Sequence, residues 1–234
     1  MGETSHPVTD PKQYVYGRRL GRPLRAAQAA LFESLLPRLR VTLPEQGAPI
    51  DFKALFGDDR PVWLEIGFGH GGHLAYQAQR NPHVGLIGAE PFINGVAGLL
   101  GRIEAAGLTN VRIWPDVAGP MMAQFPPQSL ERVFILFADP WPKKRHNKRR
   151  LIDRPLLDQL AVQMKPGGLL RLASDDRDYI HWMLERLVAH PAFAMTAETP
   201  ADWLRPPEDW PGTHFEARAQ RAGIEPAYLG FRRI

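Results

Sequence analysis

Apolar side chains at Leu24, Ala27, Leu31, Leu35 and Leu39 recur every three or four residues, which places them on one face of a helix. An amphipathic helix is therefore predicted over residues 24–39, stopped by the loop between Pro44 and Pro49. Further along the chain the period changes. Short apolar runs at 62–66 (VWLEI), 84–90 (VGLIGAE), 110–114 (NVRIW), 132–138 (RVFILFA) and 167–173 (GGLLRLA) alternate with stretches that suit helices at 73–80, 94–107, 154–164 and 176–190. Gly107 is a natural C-cap. The run VFILF is apolar without a break, as a strand covered on both faces should be. Strands alternating with helices predict an α/β domain around a doubly wound, mostly parallel sheet. After Pro191 two further strand-like runs, 193–199 and 228–233, flank a proline-rich loop and predict an antiparallel hairpin at one edge.

Length and composition narrow this picture. A chain of 234 residues suits one large domain, here residues 22–234, preceded by a flexible basic extension over residues 1–21. There is no cysteine, so disulfides, thiolate metal sites, iron–sulfur clusters and cysteine nucleophiles are excluded. The N-terminus lacks the apolar stretch of a secretory signal, and no apolar run approaches membrane-spanning length. A cytoplasmic protein without membrane contact is expected, either monomer or weak homodimer. The net charge of +4 is modest, and its distribution says more. Arg18, Arg19, Arg22 and Arg25 crowd the N-terminal segment, and Lys143 to Arg150 form a second basic cluster.

Candidate chemistry begins at LEIGFGHGGH, where Gly67, Gly69 and Gly72 follow a predicted strand and precede a predicted helix, with Glu90 at the tip of the next strand. In that context the glycines let the backbone approach a nucleoside-containing cofactor, and the acid accepts ribose hydroxyls. Two cofactor classes fit. A dinucleotide would set its pyrophosphate on the helix N-terminus, and a nicotinamide-dependent oxidoreductase is the corresponding alternative. Glu65, two residues before the first glycine, adds negative charge and favours S-adenosylmethionine, which carries a sulfonium and an ammonium in place of phosphates. Asp116 stands where it can meet the adenine amino group or cap a turn. His70 and His73 have near-ligand spacing without a third partner, so no metal site is expected.

The loop after the fourth strand reads ADPWPKKRHNKRR. Loops beyond the first and fourth strands of an open α/β sheet face one crevice. Asp139 would then meet the transferable group of the cofactor, Trp141 would stack on an extruded base, and the basic run would hold phosphates. A non-catalytic RNA-binding module on the same fold is a further alternative.

Together LEIGFGHGG, FADPWPKKRHNKRR, ASDDRDY and GTHFEARAQRAG resemble the tRNA guanine-N7 methyltransferases from about Gly17 to the C-terminus. The resemblance implies a Rossmann-like class I methyltransferase fold, a seven-stranded sheet with an antiparallel last strand, and methylation by S-adenosylmethionine of the guanine at position 46 in the tRNA variable loop. It implies that Glu65, Glu90, Asp116 and Asp139, with Gly67 and Gly69, line the cofactor site, and that Asp139 is the catalytic residue. Lys143, Asp175 and the stretch Thr213, His214, Phe215 and Glu216 would contact the guanine. Arg145, His146, Asn147, Lys148, Arg149 and Arg150 would contact the tRNA backbone. Ala138, Ser174 and Pro91 depart from the usual pattern without removing a charge. Local structure offers other roles for some of these residues: Ser174 with Asp175 and Asp176 resembles a helix N-cap, and Thr213 with Glu216 spells a capping box.

Overall fold

A computed structural model describes residues 19–234, so Arg18 and most of the predicted extension lie outside the described residues. The predicted N-terminal helix divides into α1 (Ala26–Ser34) and α2 (Leu36–Leu39). Pro37 has no N–H to donate back to residue 33, and the helix breaks at the preceding turn. A short α3 (Phe52–Phe56), capped by Asp51, leads into the alternating core: β1 (Val62–Ile66), α4 (Gly72–Arg80), β2 (Gly85–Ala89), α5 (Ile93–Ala106), β3 (Val111–Trp114), α6 (Ala118–Met122) and β4 (Leu130–Leu136). A 3₁₀ run (Lys144–Arg149), α7 (Arg154–Gln163), β5 (Met164–Ser174), α8 (Arg177–Val188), β6 (Phe193–Met195), α9 (His214–Arg221) and β7 (Ala227–Arg233) complete the chain.

The seven strands lie in the order β3-β2-β1-β4-β5-β7-β6. Strands β1 to β5 are parallel to one another, while β7 runs antiparallel between β5 and β6. The last two strands do pair as a hairpin, but the later one takes the inner place. With only three residues, β6 is left as the edge. Winding reverses between β1 and β4, which opens a crevice beyond their carboxyl ends.

Side chains of β1 alternate between two cores. Val62, Leu64 and Ile66 join Ile135, Leu157, Leu160, Leu172 and Met183 on the α6, α7 and α8 face. Trp63 packs with Leu74, Leu86, Leu99, Leu100 and Phe134 under α4 and α5. Glu65 shares the side of Trp63, and this parity decides what it meets. Beyond β1, the second face is covered by the segment between β6 and α9, through Trp210 and the pairing of Asp209 with Arg132 (3.0 Å) and Arg171 (3.2 Å). Among the described residues no helix is long and apolar enough to cross a membrane.

The last residues of the predicted extension are packed against the domain. The carbonyl of Arg19 accepts from Ile93 N–H (3.0 Å), and Gly21 N–H donates to Asn94 Oδ1 (2.9 Å). The side chain of Arg19 pairs with Asp116 at 2.7 Å.

Candidate functional site

The crevice starts at the glycine loop. Gly67, Gly69 and Gly71 all hold positive φ (74°, 54° and 71°), a conformation that disfavours a Cβ. Gly71 is the left-handed N-cap of α4, whereas Gly72, the third glycine of the predicted spacing, is an ordinary first helical residue. Close approach comes from the neighbouring helix: a Cβ on Gly95 would lie 2.3 Å from the carbonyl oxygen of Gly69. α5 is thus pressed against the loop and holds it in shape.

Glu90, at the tip of β2, locks the loop from the other side. Its Oε2 accepts from Gly69 N–H (2.7 Å) and its Oε1 from Phe92 N–H (2.9 Å). Burial raises its pKa; the two N–H groups oppose the shift, and the charges of Asp139 and Glu65 add to it. Of the four acids predicted for the cofactor, Glu90 thus lies within the field of two others, Asp139 and Glu65. Glu65 is buried and bonds His73 Nδ1 at 2.7 Å. Asp139 is open to solvent on one side, yet desolvation by the surrounding loop raises its pKa. Phe137 and Trp141 bracket it with φ of 52° and 47°, a left-handed strain uncommon for bulky residues and concentrated at functional sites.

Two cavities meet here. One of about 300 Å³ is bounded by Gly67, Gly69, Glu90, Asp139 and Trp141, with an apolar end at Val117 and Met122. The other, about 610 Å³, is bounded by Glu65, His70, His73 and Thr213. Gly67, Leu136, Phe137 and Phe215 wall both, and the rings of Phe137 and Phe215 are stacked 6.0 Å apart. Asp116 lies just outside the first cavity. Its Oδ1 accepts from Val117 N–H (2.7 Å) and from Arg19 (2.7 Å), so the turn-capping role weighed for it is present.

The basic run is held beside the first cavity. Lys143, Lys144, Arg145 and Lys148 are exposed. Arg149 lies over the Trp141 ring, 4.9 Å from its centroid, and His146 meets the ring edge at 5.9 Å. Desolvation first, then the charges of Arg149, Arg145, Lys143 and Lys148, lower the pKa of His146. Asn147 is half-buried. Arg150 differs from its expected role. Its side chain is 1% exposed, donates to the Pro140 carbonyl (2.8 Å) and to Asp178, and lies over the rings of Tyr179 and Trp182. A guanidinium so enclosed has no face left for a phosphate. Arg150 fastens the Asp139 loop to α8.

At the carboxyl end of β5, Asp176 caps α8 by accepting Tyr179 N–H (2.8 Å), and Ser174 accepts from Asp176 N–H. Among the described residues Asp175 has no hydrogen-bond partner, which leaves its carboxylate available. Thr213 and Glu216 form the capping box of α9, with His214 and Phe215 exposed. Glu216 also departs from expectation. It is buried and accepts from Thr213 N–H (3.1 Å), Trp210 Nε1 (2.6 Å) and the Tyr228 hydroxyl. These donors take up its oxygens, so it supports the helix and the Trp210 segment. His70 and His73 go to different partners, Phe92 and Glu65, and among the described residues no cluster could hold a metal ion.

Local sequence pattern does not single out His73 as a site residue, nor Gln77, Asp209 and the strand arginines Arg132 and Arg171. The arginines did leave a signal, because each adjoins or interrupts an apolar run, VFIL in β4 and LLRLA in β5.

Residues 59–227 match a family model described as "Putative methyltransferase". The chain is 48% identical to the tRNA (guanine-N(7)-)-methyltransferase of Rhodospirillum rubrum, over 93% of this chain and 87% of the relative. It is 48% identical to the enzyme of the same name from Rhizobium meliloti (93% and 94% covered) and 44% identical to that of Brucella anthropi (100% of both). Among solved structures, the 16S rRNA methyltransferase KamB superposes with a TM-score of 0.56 at 15% identity, over 78% of this chain and 93% of that one. An rRNA methylase from Streptococcus thermophilus gives 0.51 at 11% identity (76% and 89%). These two likenesses establish the class I methyltransferase fold. With the carboxylate-lined crevice and nearly full-length identity to its relatives, the chain belongs to the tRNA (guanine-N(7)-)-methyltransferase family.

Proposed function

We propose that this protein transfers the methyl group of S-adenosylmethionine to N7 of a guanine in tRNA, the base at position 46 of the variable loop, in the bacterial cytoplasm. The observation that carries the reading is the gathering of Glu65, Glu90 and Asp139 around adjoining cavities at the switch point, close enough that the other two raise the pKa of Glu90. Such crowding favours a cationic ligand and repels a pyrophosphate. That counts against the nicotinamide alternative. The surroundings fit an adenosine-bearing sulfonium: Glu90 keeps free lone pairs for ribose hydroxyls after accepting two N–H groups, and Val117 with Met122 supplies an apolar wall for a purine. Glu65 is the partner for an ammonium in the second cavity.

When bound, S-adenosylmethionine supplies an electrophilic methyl group on sulfur, which the lone pair of guanine N7 takes up without loss of a proton. No general base is needed. The task left to the chain is alignment and electrostatics. Asp139 keeps a negative charge at the rim where positive charge passes toward the purine. Asp175 has its oxygens free to accept from the N1 and amino groups of guanine, whereas those of Glu216 are engaged within the protein. Trp141 and the exposed Phe215 offer ring faces to a base taken out of its stack. Lys143, Arg145, Lys148 and Arg149 are set to hold the backbone.

The test is transfer of labelled methyl to unmodified tRNA, followed by identification of the nucleoside. N7-methylguanosine at position 46 is expected. Label in another base or position would overturn the assignment, and absence of label would favour the non-catalytic RNA-binding alternative.

A further inference from the structure

We propose that His73 is a positioning residue that aims Glu65 into the second cavity and, through Gln77, ties it to the segment carrying Trp210 and α9. The inference rests on the cofactor reading above and concerns residues to which that reading gives no task.

The observation is a continuous chain of polar contacts through the α4 face. His73 Nδ1 lies 2.7 Å from Glu65 Oε2, with the two side chains 3% and 4% exposed. On the other side of the ring, Nε2 lies 3.3 Å from Gln77 Nε2, which also donates to the Asp209 carbonyl at 2.9 Å. Donor and acceptor logic fixes the pattern. The Gln77 amide has two hydrogens and spends them on His73 Nε2 and the Asp209 carbonyl. Nε2 must then accept, and Nδ1 carries the hydrogen that Glu65 receives. Glu65 is thereby oriented by one oxygen while its other oxygen has no protein partner among the described residues.

The far end of the chain is equally fixed. The carboxylate of Asp209 bridges Arg132 (3.0 Å) and Arg171 (3.2 Å) on β4 and β5. The next residue, Trp210, packs its ring 5.3 Å from that of His73 and donates to Glu216 of the α9 capping box. Phe215 and Thr213, which border the cavities, are set by that box. One histidine thus stands between the acid of the glycine loop and the segment facing the substrate, and loosening either neighbour should be felt separately.

Three variants and two readouts test this: affinity for S-adenosylhomocysteine by calorimetry, and amide hydrogen exchange over residues 204–213. His73→Phe removes both contacts at similar volume. It is expected to lose roughly tenfold or more in affinity, as for a buried acceptor left without its donor, and to speed exchange in the segment. His73→Asn keeps an N–H near the Nδ1 position but is too short to place an acceptor at the Nε2 position that faces Gln77, so it should restore affinity to within about threefold while the segment stays loose. Gln77→Met should loosen the segment and raise KM for tRNA while cofactor affinity stays within about threefold. A folded His73→Phe with full affinity, or Gln77→Met with unaltered exchange, overturns the inference. Should His73→Phe fail to fold, a fourth variant decides it: His73→Gln keeps an acceptor near the Nε2 position and no N–H at Nδ1, so it should lose affinity with the segment protected, opposite to Gln77→Met, and a folded His73→Gln with full affinity would overturn the inference. Wild-type protein that does not bind S-adenosylhomocysteine would instead overturn the underlying cofactor reading.

Discussion

The two sides of the crevice are built differently. On the glycine-loop side the polar groups are already engaged by the protein: Glu90 by two N–H groups, Glu65 by His73, and the loop itself by the close approach of Gly95. On the side of the β4 loop, Lys143, Arg145 and Lys148 stand exposed, Asp139 is open to solvent on one face, and Asp175 has no hydrogen-bond partner among the described residues. A small rigid ligand gains most from a site organised in advance, because no ordering cost is left for binding. A polynucleotide brings many charges of its own, and a set of exposed cations answers it through counterion release. Under the proposed function the first side would hold the cofactor and the second would meet tRNA, with Asp139 between the two, and substitutions on the two sides should fail in different ways.

Asp139→Asn should give the largest loss, on the order of 10²–10³ in kcat, as for removal of one preorganised electrostatic group, with tRNA retention intact. Single-turnover methyl transfer measures it, and undiminished turnover would remove Asp139 from the catalytic role. Glu65→Gln comes next. Because S-adenosylhomocysteine keeps the ammonium and lacks the sulfonium, this change should weaken both ligands alike, by roughly tenfold, whereas Asp139→Asn should weaken S-adenosylmethionine selectively. A Glu65 variant that alters the ratio of the two affinities would move that acid to the sulfonium.

Acidification should reach both sides together. Glu90 and Asp139 have raised pKa values, chiefly from burial, so they take up protons above the ordinary carboxyl range near about 4. Affinity for S-adenosylmethionine should fall through that window as the charges are lost. The stability effect has the opposite sign. The folded chain binds these protons more readily than the unfolded one, so the contribution of these two groups is fully present below the unfolded pKa and is lost as pH rises through the folded pKa. Titration calorimetry and melting curves across the same range check both signs.

The smallest effects belong to the basic run. Replacing Arg145 and Lys148 by Ala should lower the log–log salt slope of tRNA binding by about 0.7–0.9 for each phosphate that is no longer neutralised. Arg150→Met should leave that slope unchanged, reduce turnover, and lower stability by roughly 1–3 kcal/mol as its hydrogen bonds and ring packing disappear. If Arg150 instead shifted the slope, its enclosed position would not describe the protein when bound to tRNA.

Arg149 and Arg150 show how far a sequence can be read. They are chemically identical neighbours in a charge run, and no periodicity separates them. Only the packing on Tyr179 and Trp182 of α8, some thirty residues away, turns one of them inward. Glu216 is similar: its capping box was legible from four residues, while the engagement of its carboxylate by Trp210 and Tyr228 was not.

Strand and helix periods, the glycine loop with its acids, and the grouping of charge after the fourth strand are properties of near neighbours, and the sequence alone determined them. Helix and strand spacings repeat within a few residues, and turn chemistry depends on even fewer. The order of β6 and β7, the face that Glu65 presents, the link from His73 to Asp209 and the burial of Arg150 were decided by the tertiary structure. Each depends on which distant segment supplies the partner for a buried polar group, and that choice is made only when the whole sheet has closed.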